Sequence, residues 1–305
     1  MDGAIHVPVL LEESLEGLNI RGGGVYVDAT LGGGGHSRKI AERLAGGLLV
    51  SLDRDTGAVE GFRREMEGRE DVKVVRASFA DIGRVCGELG IEEIDGVLYD
   101  LGLSSMQLAA GRGFSFHDTG ALDMRYGEAE GTPTAADFVN TAEAREMESL
   151  FWAFDERRGR QIAQRIIRAR GKRPIVTAAD LVEGMGLPKT GRTHPATKVF
   201  LALRAHVNGE LEAIRKTIPE AMELLRPGGR IVMISYHSSE DRIVKDLFRR
   251  ASRGCSCERQ PDECECNGPK RVSLITRRPM EPSDEETAAN PRARSAKLRI
   301  VERIG

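Results

Sequence analysis

The stretch VYVDATLGGGGHS, residues 25–37, decides how this chain is read. Val25-Tyr26-Val27-Asp28-Ala29-Thr30 is β-branched and aromatic enough for a buried strand. Gly32, Gly33, Gly34 and Gly35 follow, and then SRKIAERL (37–44) has helical composition, with Ser37 placed to cap it. Strand, glycine turn and helix form the first half of a βαβ unit. In the parallel sheets built from such units, ligands sit beyond the carboxyl ends of the strands. Glycine in that turn lets backbone approach a ligand that any Cβ would push away.

The same rhythm continues outward. Leu48-Leu49-Val50-Ser51-Leu52-Asp53 is a second apolar run, Val72-Lys73-Val74-Val75 a third, and Gly96-Val97-Leu98-Tyr99-Asp100 a fourth. Strands alternating with helical segments predict a parallel sheet with helices on both faces. From about 105 to 209 the strand-like runs vanish. The chain becomes Ala-, Glu- and Arg-rich, with turns at Gly131-Thr132-Pro133, Gly186-Leu187-Pro188 and His194-Pro195. A helix over about 210–225, a stop at Arg226-Pro227-Gly228-Gly229, a strand over 230–236 and a charged helix near 239–250 then restore the pattern. Two late runs, 272–276 and 296–301, follow. The expectation is an α/β, Rossmann-like sheet in two parts, 1–104 and 210–305, around an inserted all-helical domain at 105–209 on the substrate side.

Composition narrows the class. The chain has 305 residues, 45 Lys plus Arg against 47 Asp plus Glu, 40% hydrophobic and 30% charged, which excludes a disordered polymer. No apolar run approaches the roughly 18 residues of a membrane span, and no basic stretch followed by an apolar one opens the chain, so a cytoplasmic protein without membrane partners is expected. With a net charge of -2, any nucleic acid must be met by local patches. Cys86 stands alone and reads as a small buried apolar residue. Cys255, Cys257, Cys264 and Cys266 crowd together as candidate zinc ligands, with a reduced surface loop as the equal alternative.

Three carboxylates give the glycine turn its chemistry. Asp53 closes the second strand about 20 residues after the turn, where an acid can take both ribose hydroxyls of an adenosine cofactor. Asp28 precedes the turn and Asp100 ends the fourth strand. Any one of them reads equally well as a strand-end cap. Together they suit the sulfonium and ammonium of S-adenosylmethionine better than the pyrophosphate of a dinucleotide. A nicotinamide dehydrogenase is therefore the weaker alternative.

These residues sit in longer stretches: HVPVLL (6–11), DATLGGGGHS (28–37), LDRD (52–55), DGVLYDLGLSS (95–105), GFSF (113–116), LDMR (122–125), HPAT (194–197), ALR (202–204), PGGR (227–230), HSSEDRIVK (237–245) and NPRARSAKLR (290–299). Over essentially its whole length the chain resembles the RsmH (MraW) family, the bacterial 16S rRNA cytosine-N4-methyltransferases. The resemblance implies a class I S-adenosylmethionine-dependent methyltransferase sheet with a helical domain inserted after the fourth strand. It implies that Gly34, Gly35 and His36 line the methionine part of the cofactor and that Asp53 holds the ribose. Phe79 would lie against the adenine, with Asp100 and Gln107 completing the site. From Phe79's own context, after the third strand, an ordinary core aromatic is the simpler reading. Met106 stands where the family usually has proline, Ala109 and Ala110 where it has acids, and Tyr236 and Ser239 where it has Phe and Leu. The last two changes, at Tyr236 and Ser239, leave the polar residues in place and bear on substrate contacts.

The implied substrate is 16S rRNA in the small ribosomal subunit, methylated at the exocyclic N4 of a decoding-centre cytidine. In-line methyl transfer needs alignment above all, and an acceptor for an N4 hydrogen. Asp100 is the candidate acceptor, with Ser104 and His237 as helpers on the substrate side; His237 reads equally as a structural strand-end histidine. A target base must be splayed out, and Phe114, Phe116 and Tyr236 are candidates to stack on it, though GFSF reads equally as a packed loop. Residues 157–173 hold eight basic side chains and no acid. Arg157, Arg160, Arg165 and Arg168 share one helical face opposite Ile162, Ile166 and Ala169, and rRNA phosphates are their expected partner. Arg292, Arg294, Lys297 and Arg299 add to this near the end of the chain. A non-catalytic rRNA-binding assembly factor that keeps the fold is the alternative of a different class. The oligomeric state is open, a homodimer included.

Overall fold

The computed structural model describes residues 8–102, 111–118, 120–126, 131–187, 194, 196–254 and 270–305. The chain divides into two compact units, Met1–Gly102 with Glu212–Gly305, and Leu103–Leu211. Among the described residues no helix is long and apolar enough to cross a membrane.

The first unit is built on seven strands: β1 Val25–Asp28, β2 Leu48–Asp53, β3 Val72–Arg76, β4 Ile94–Asp100, β5 Leu225–Ser235, β6 Val272–Leu274 and β7 Lys297–Arg303. Their order in the sheet is β3-β2-β1-β4-β5-β7-β6. The first five run parallel, and β7 is antiparallel to both β5 and β6. This is the class I methyltransferase sheet. The order reverses between β1 and β4, the place where doubly wound sheets open a ligand crevice. Val27, Val97, Leu98, Tyr99 and the run Ile231–Ile234 are fully enclosed, as strands covered on both faces require.

The helices of this unit are α1 Leu11–Leu18, α2 Gly35–Arg43, α3 Thr56–Glu65 and α4 Ile82–Glu88 in its first segment. Two details differ from the sequence reading, each for a local reason. Helix α2 begins at Gly35, capped by Gly34 in a left-handed conformation (φ 77°), and Ser37 lies inside its first turn with its hydroxyl turned to Asp28. The helix before β5 ends at Leu224, within a residue of the expected stop, but the strand begins at Leu225 and not at Arg230, so Pro227, Gly228 and Gly229 lie inside it. They occupy an irregularity where the partners shift from Ile94–Leu225 to Gly96–Arg230.

The second unit carries helices α5 Ala135–Thr141, α6 Ala144–Ala153, α7 Gly159–Arg170, α8 Ala178–Met185 and α9 Thr197–Asn208. It shows no strand among its described residues, only the isolated bridge Ala121–Thr177. Thr134 with Asp137, and Thr177 with Asp180, close reciprocal caps at the starts of α5 and α8. Its core has its own members, among them Met147, Phe151, Ile162, Ile166, Leu181 and Leu203. A buried Arg204–Glu210 pair, with two bonds of 2.8 Å, ties the end of α9 to the start of the next helix, α10 Glu210–Leu224. Beyond β5 the first unit adds α11 Ser238–Arg253 and α12 Asp284–Ala289.

Candidate functional site

Strands β2, β1 and β4 lie side by side and end in Asp53, Asp28 and Asp100, so the fold brings the three acids to one sheet edge. Their surroundings then separate them. Asp53 is half-buried; its carboxylate accepts from the Gly32 N–H and from the Asp55 N–H, each at 2.8 Å. Burial pushes its pKa up, and these backbone bonds pull the other way. The acid is thereby held rigid at the glycine turn. At Gly32 itself (φ 51°) the backbone is in the left-handed region that favours glycine, and an added Cβ would make only an ordinary contact, 3.8 Å from the Thr30 carbonyl.

Asp28 departs from the expectation of a ligand-facing acid. It is 1% exposed, and accepts from the Ser37 hydroxyl at 2.6 Å and the Thr30 N–H at 3.1 Å. Ser37 also contacts the Ser51 hydroxyl at 2.8 Å. Asp28 is thus a buried brace joining β1, α2 and β2. Burial raises its pKa, opposed chiefly by the nearby His36.

Asp100 stands between the two. Its N–H donates to Thr30 Oγ1 at 2.6 Å, which pins the ends of β1 and β4 together. The Tyr236 hydroxyl donates to Asp100 Oδ1 at 2.7 Å. Burial, and then the charge of Asp100, push the Tyr236 phenol far above its ordinary value, so it stays a donor. On the other side, Asp100 Oδ2 lies 3.7 Å from His36 Nδ1. His36 is buried, and its Nε2 donates to the Val9 carbonyl at 3.2 Å.

Gly34 and Gly35 are required by packing. A Cβ on Gly34 would fall 2.7 Å from the Phe62 ring, and one on Gly35 would fall 2.3 Å from Pro8 Cγ. Phe79 begins a short 3-10 turn after β3, half-buried, with its ring at 86° to that of Tyr99 and 6.0 Å away. Ser104, Gln107 and the four cysteines Cys255, Cys257, Cys264 and Cys266 lie outside the described residues.

His237 is the N-cap of α11. Its Nδ1 accepts from the Glu240 N–H at 3.3 Å, and its Nε2 lies 3.0 Å from Glu240 Oε1. A histidine whose two nitrogens both face one helix turn has a structural task whatever else it does. Tyr236, expected as a stacking ring, has its hydroxyl committed to Asp100. Phe114 is buried and stacked on Tyr126, at 5.9 Å between centroids, inside the helical unit's core. Phe116 stacks on His194 at 4.4 Å.

The basic run 157–173 is divided in the same way. Arg157, Arg160, Arg168 and Lys172 are exposed, but α7 begins at Gly159, so Arg157 lies in the turn before it and does not share its helical face as expected. Arg165 instead donates to the Met185 and Gly186 carbonyls at 3.0 and 2.6 Å, closing the carboxyl end of α8. Arg170 donates to the Val139 and Ala142 carbonyls at 2.8 Å each, and Arg158 pairs with Glu156. Of the later basic residues, Arg299 is buried in a pair with Asp241.

Sequence reasoning missed the Tyr236–Asp100 bond and the arm formed by Pro8, Val9 and Leu10 over the turn. Left-handed Leu10 gives no local sign, and the partners of the arm are distant in the chain. The groups gathered at the turn are carboxylates, an imidazole and backbone N–H groups. Such a set suits hydroxyls and positive charge, and so fits an adenosine cofactor carrying a sulfonium.

Comparison with known proteins places the chain among relatives along its full length. The model of the MraW methylase family matches residues 3–304. The chain is 47% identical over 308 residues to the ribosomal RNA small subunit methyltransferase H of Thermomicrobium roseum, covering 98% of this chain and 94% of that one. It is 44% identical over 315 residues to the protein of the same name from Pelobacter propionicus, with both chains covered entirely. With the one from Brevibacillus brevis the identity is 42% over 308 residues, covering 98% of each.

Proposed function

The chain belongs to the MraW methylase family, and from that premise we propose that it methylates 16S rRNA, at the exocyclic N4 of a decoding-centre cytidine in the small ribosomal subunit. The cofactor is S-adenosyl-L-methionine, which supplies a methyl on a sulfonium to an attacking amine. The observation that carries the reading is the pair Asp53 and Asp100, on strands flanking β1, one braced by the glycine turn and the other by Tyr236.

In this reading Asp53 takes the ribose hydroxyls, because its two oxygens are already aimed by backbone N–H groups. Asp100 accepts a hydrogen of the cytosine amine. That bond draws the nitrogen lone pair out of conjugation with the ring, and the carboxylate then receives the proton as the new bond forms. The Tyr236 hydroxyl fixes the carboxylate plane, which is the alignment an in-line displacement needs. Ser104 and Gln107 belong to the same proposal, as do Phe79 at the adenine and His237 at the substrate side. On the helical unit, Arg157, Arg160 and Arg168 meet rRNA phosphates.

Nucleoside mass spectrometry tests the whole reading. Small-subunit particles from a strain lacking the gene should lack N4-methylated cytidine. Incubation with the purified protein and S-adenosylmethionine should restore it. Restoration of a different methylated nucleoside would move the substrate. Binding to the particles with no methylation under any condition would leave the non-catalytic assembly factor as the better description.

A further inference from the structure

Glu286 stands third in α12, in the run Ser283-Asp284-Glu285-Glu286, where a glutamate ordinarily reaches back to the N–H of the capping serine. Only half of that arrangement forms. Ser283 Oγ accepts from the Glu286 N–H at 3.1 Å, but the Glu286 carboxylate is turned away and accepts from the Leu10 N–H at 2.8 Å, across 276 positions of sequence. Leu10 is fully buried and left-handed (φ 51°), and it caps α1 without any side-chain bond of its own. A leucine is strained in that region. The carboxylate that holds it also sits at the positive end of α1, where an acid is favoured.

The held segment leads directly to the glycine turn. The neighbouring Val9 carbonyl receives the His36 Nε2–H, and Pro8 lies in the space a side chain at Gly35 would fill. Because His36 donates through Nε2, the face it turns to Asp100 is Nδ1, 3.7 Å from Oδ2. Glu286 is close enough to add to the upward push on the Tyr236 phenol, whose hydroxyl holds the other oxygen of Asp100.

We propose that Glu286 is a positioning residue for the cofactor site: by holding Leu10 it fixes the Val9 carbonyl, and through it the tautomer and ring orientation of His36 beside Asp100. The inference rests on the reading of this turn as the S-adenosylmethionine site. A purely structural anchor would lower the melting temperature on removal and leave cofactor affinity and the imidazole unchanged.

The test uses the full-length wild type, E286A and E286Q, each titrated calorimetrically with S-adenosylmethionine and with S-adenosylhomocysteine. Long-range nitrogen–proton spectra of the His36 ring are recorded without cofactor. The amide oxygen of E286Q can still accept from Leu10, so it should bind within about two-fold of the wild type, whereas E286A should bind about ten-fold more weakly, the scale of one hydrogen bond to a charged group. His36 should carry its proton on Nε2 in the wild type and in E286Q, and distribute it over both nitrogens in E286A. Wild-type affinity in E286A overturns the proposal, as does a ten-fold loss in E286Q or a wild-type His36 protonated on Nδ1 alone. Should E286A fail to fold, E286Q and the wild-type spectrum still decide. A wild type that binds neither compound sinks the reading of the site instead, and the His36 spectrum judges the relay separately.

Discussion

Asp28 and Asp53 show how two aspartates with the same place in the sequence pattern part company once side chains are placed. Both end a parallel strand beside the glycine turn, but Asp28 points into Ser37 and Asp53 is held at the turn's mouth. If Asp53 takes the ribose hydroxyls as proposed, Asp53→Ala should weaken S-adenosylmethionine binding by roughly ten- to a hundred-fold, with secondary structure retained. Unchanged affinity in a calorimetric titration would put the ribose elsewhere. For Asp28 the readout is stability against pH. Burial raises its pKa above the ordinary 3.8. The folded state therefore holds its proton more tightly than the unfolded chain does. That contribution to stability is fully present below 3.8 and is lost as pH rises through the folded value. Asp28→Asn has no such proton to lose. Its urea midpoint, measured against the wild type, should gain steadily as pH is raised across that window and then level off. A gain in the opposite direction would mean that the Ser37 and Thr30 bonds outweigh burial. The strand-end acids are legible in the sequence; which of them is buried and which is held at the glycine turn is not. That depends on Ser37, which lies inside the first turn of α2 because Gly34 takes the capping role that composition assigns to the serine.

At the scale of elements, α7 carries the clearest division of labour. The helical period correctly separates its apolar face, Ile162 and Ile166, from its arginines. The period is blind to what crosses the helix, and α8 ends against it, so Arg165 is drawn into closing the Met185 and Gly186 carbonyls. Two variants separate the roles. Reversing charge at Arg157 and Arg160 should weaken rRNA-fragment binding, and lower the slope of log K against log salt by about 0.7–0.9 for each phosphate no longer neutralised, with the melting temperature unchanged. Arg165→Ala should instead cost about 1–2 kcal/mol of stability in a denaturant titration, the worth of a partly exposed charged donor at a helix end. If instead the Arg157 and Arg160 variant melts early and Arg165→Ala alone loses RNA, the two roles are exchanged. Strand β5 teaches the same lesson in the backbone. Pro227-Gly228-Gly229 reads locally as a break, yet β4 pairs on both sides of it, because a register shift absorbs the residues that cannot join the ladder.

Across the whole molecule, the two-part sheet with its helical insertion is legible because it rests on periodicity. Apolar runs of strand length stop at Asp100 and resume at Arg230, and nothing between them alternates as a half-buried strand does. The arm and its anchor are not legible, since Leu10 and Glu286 meet only when β7 and α12 close the far end of the unit. The sheet unit and the helical unit each enclose a core of their own, with Leu10, Leu49 and Leu298 in one and Phe151, Ile166 and Leu203 in the other. A ligand that binds within the sheet unit stabilises that unit by mass action, by about 2.7 kcal/mol at a concentration of 100 Kd. Native-state hydrogen exchange with saturating S-adenosylmethionine should therefore slow the slowest amides of β1, β2, β4 and α2 by roughly a hundred-fold. The slowest amides of α5 to α9 should stay as they were, because their core meets no ligand in this reading. Equal slowing in both sets would mean that the two cores open together in one global unfolding event, and the helical insertion would then share the stability that the cofactor confers on the sheet.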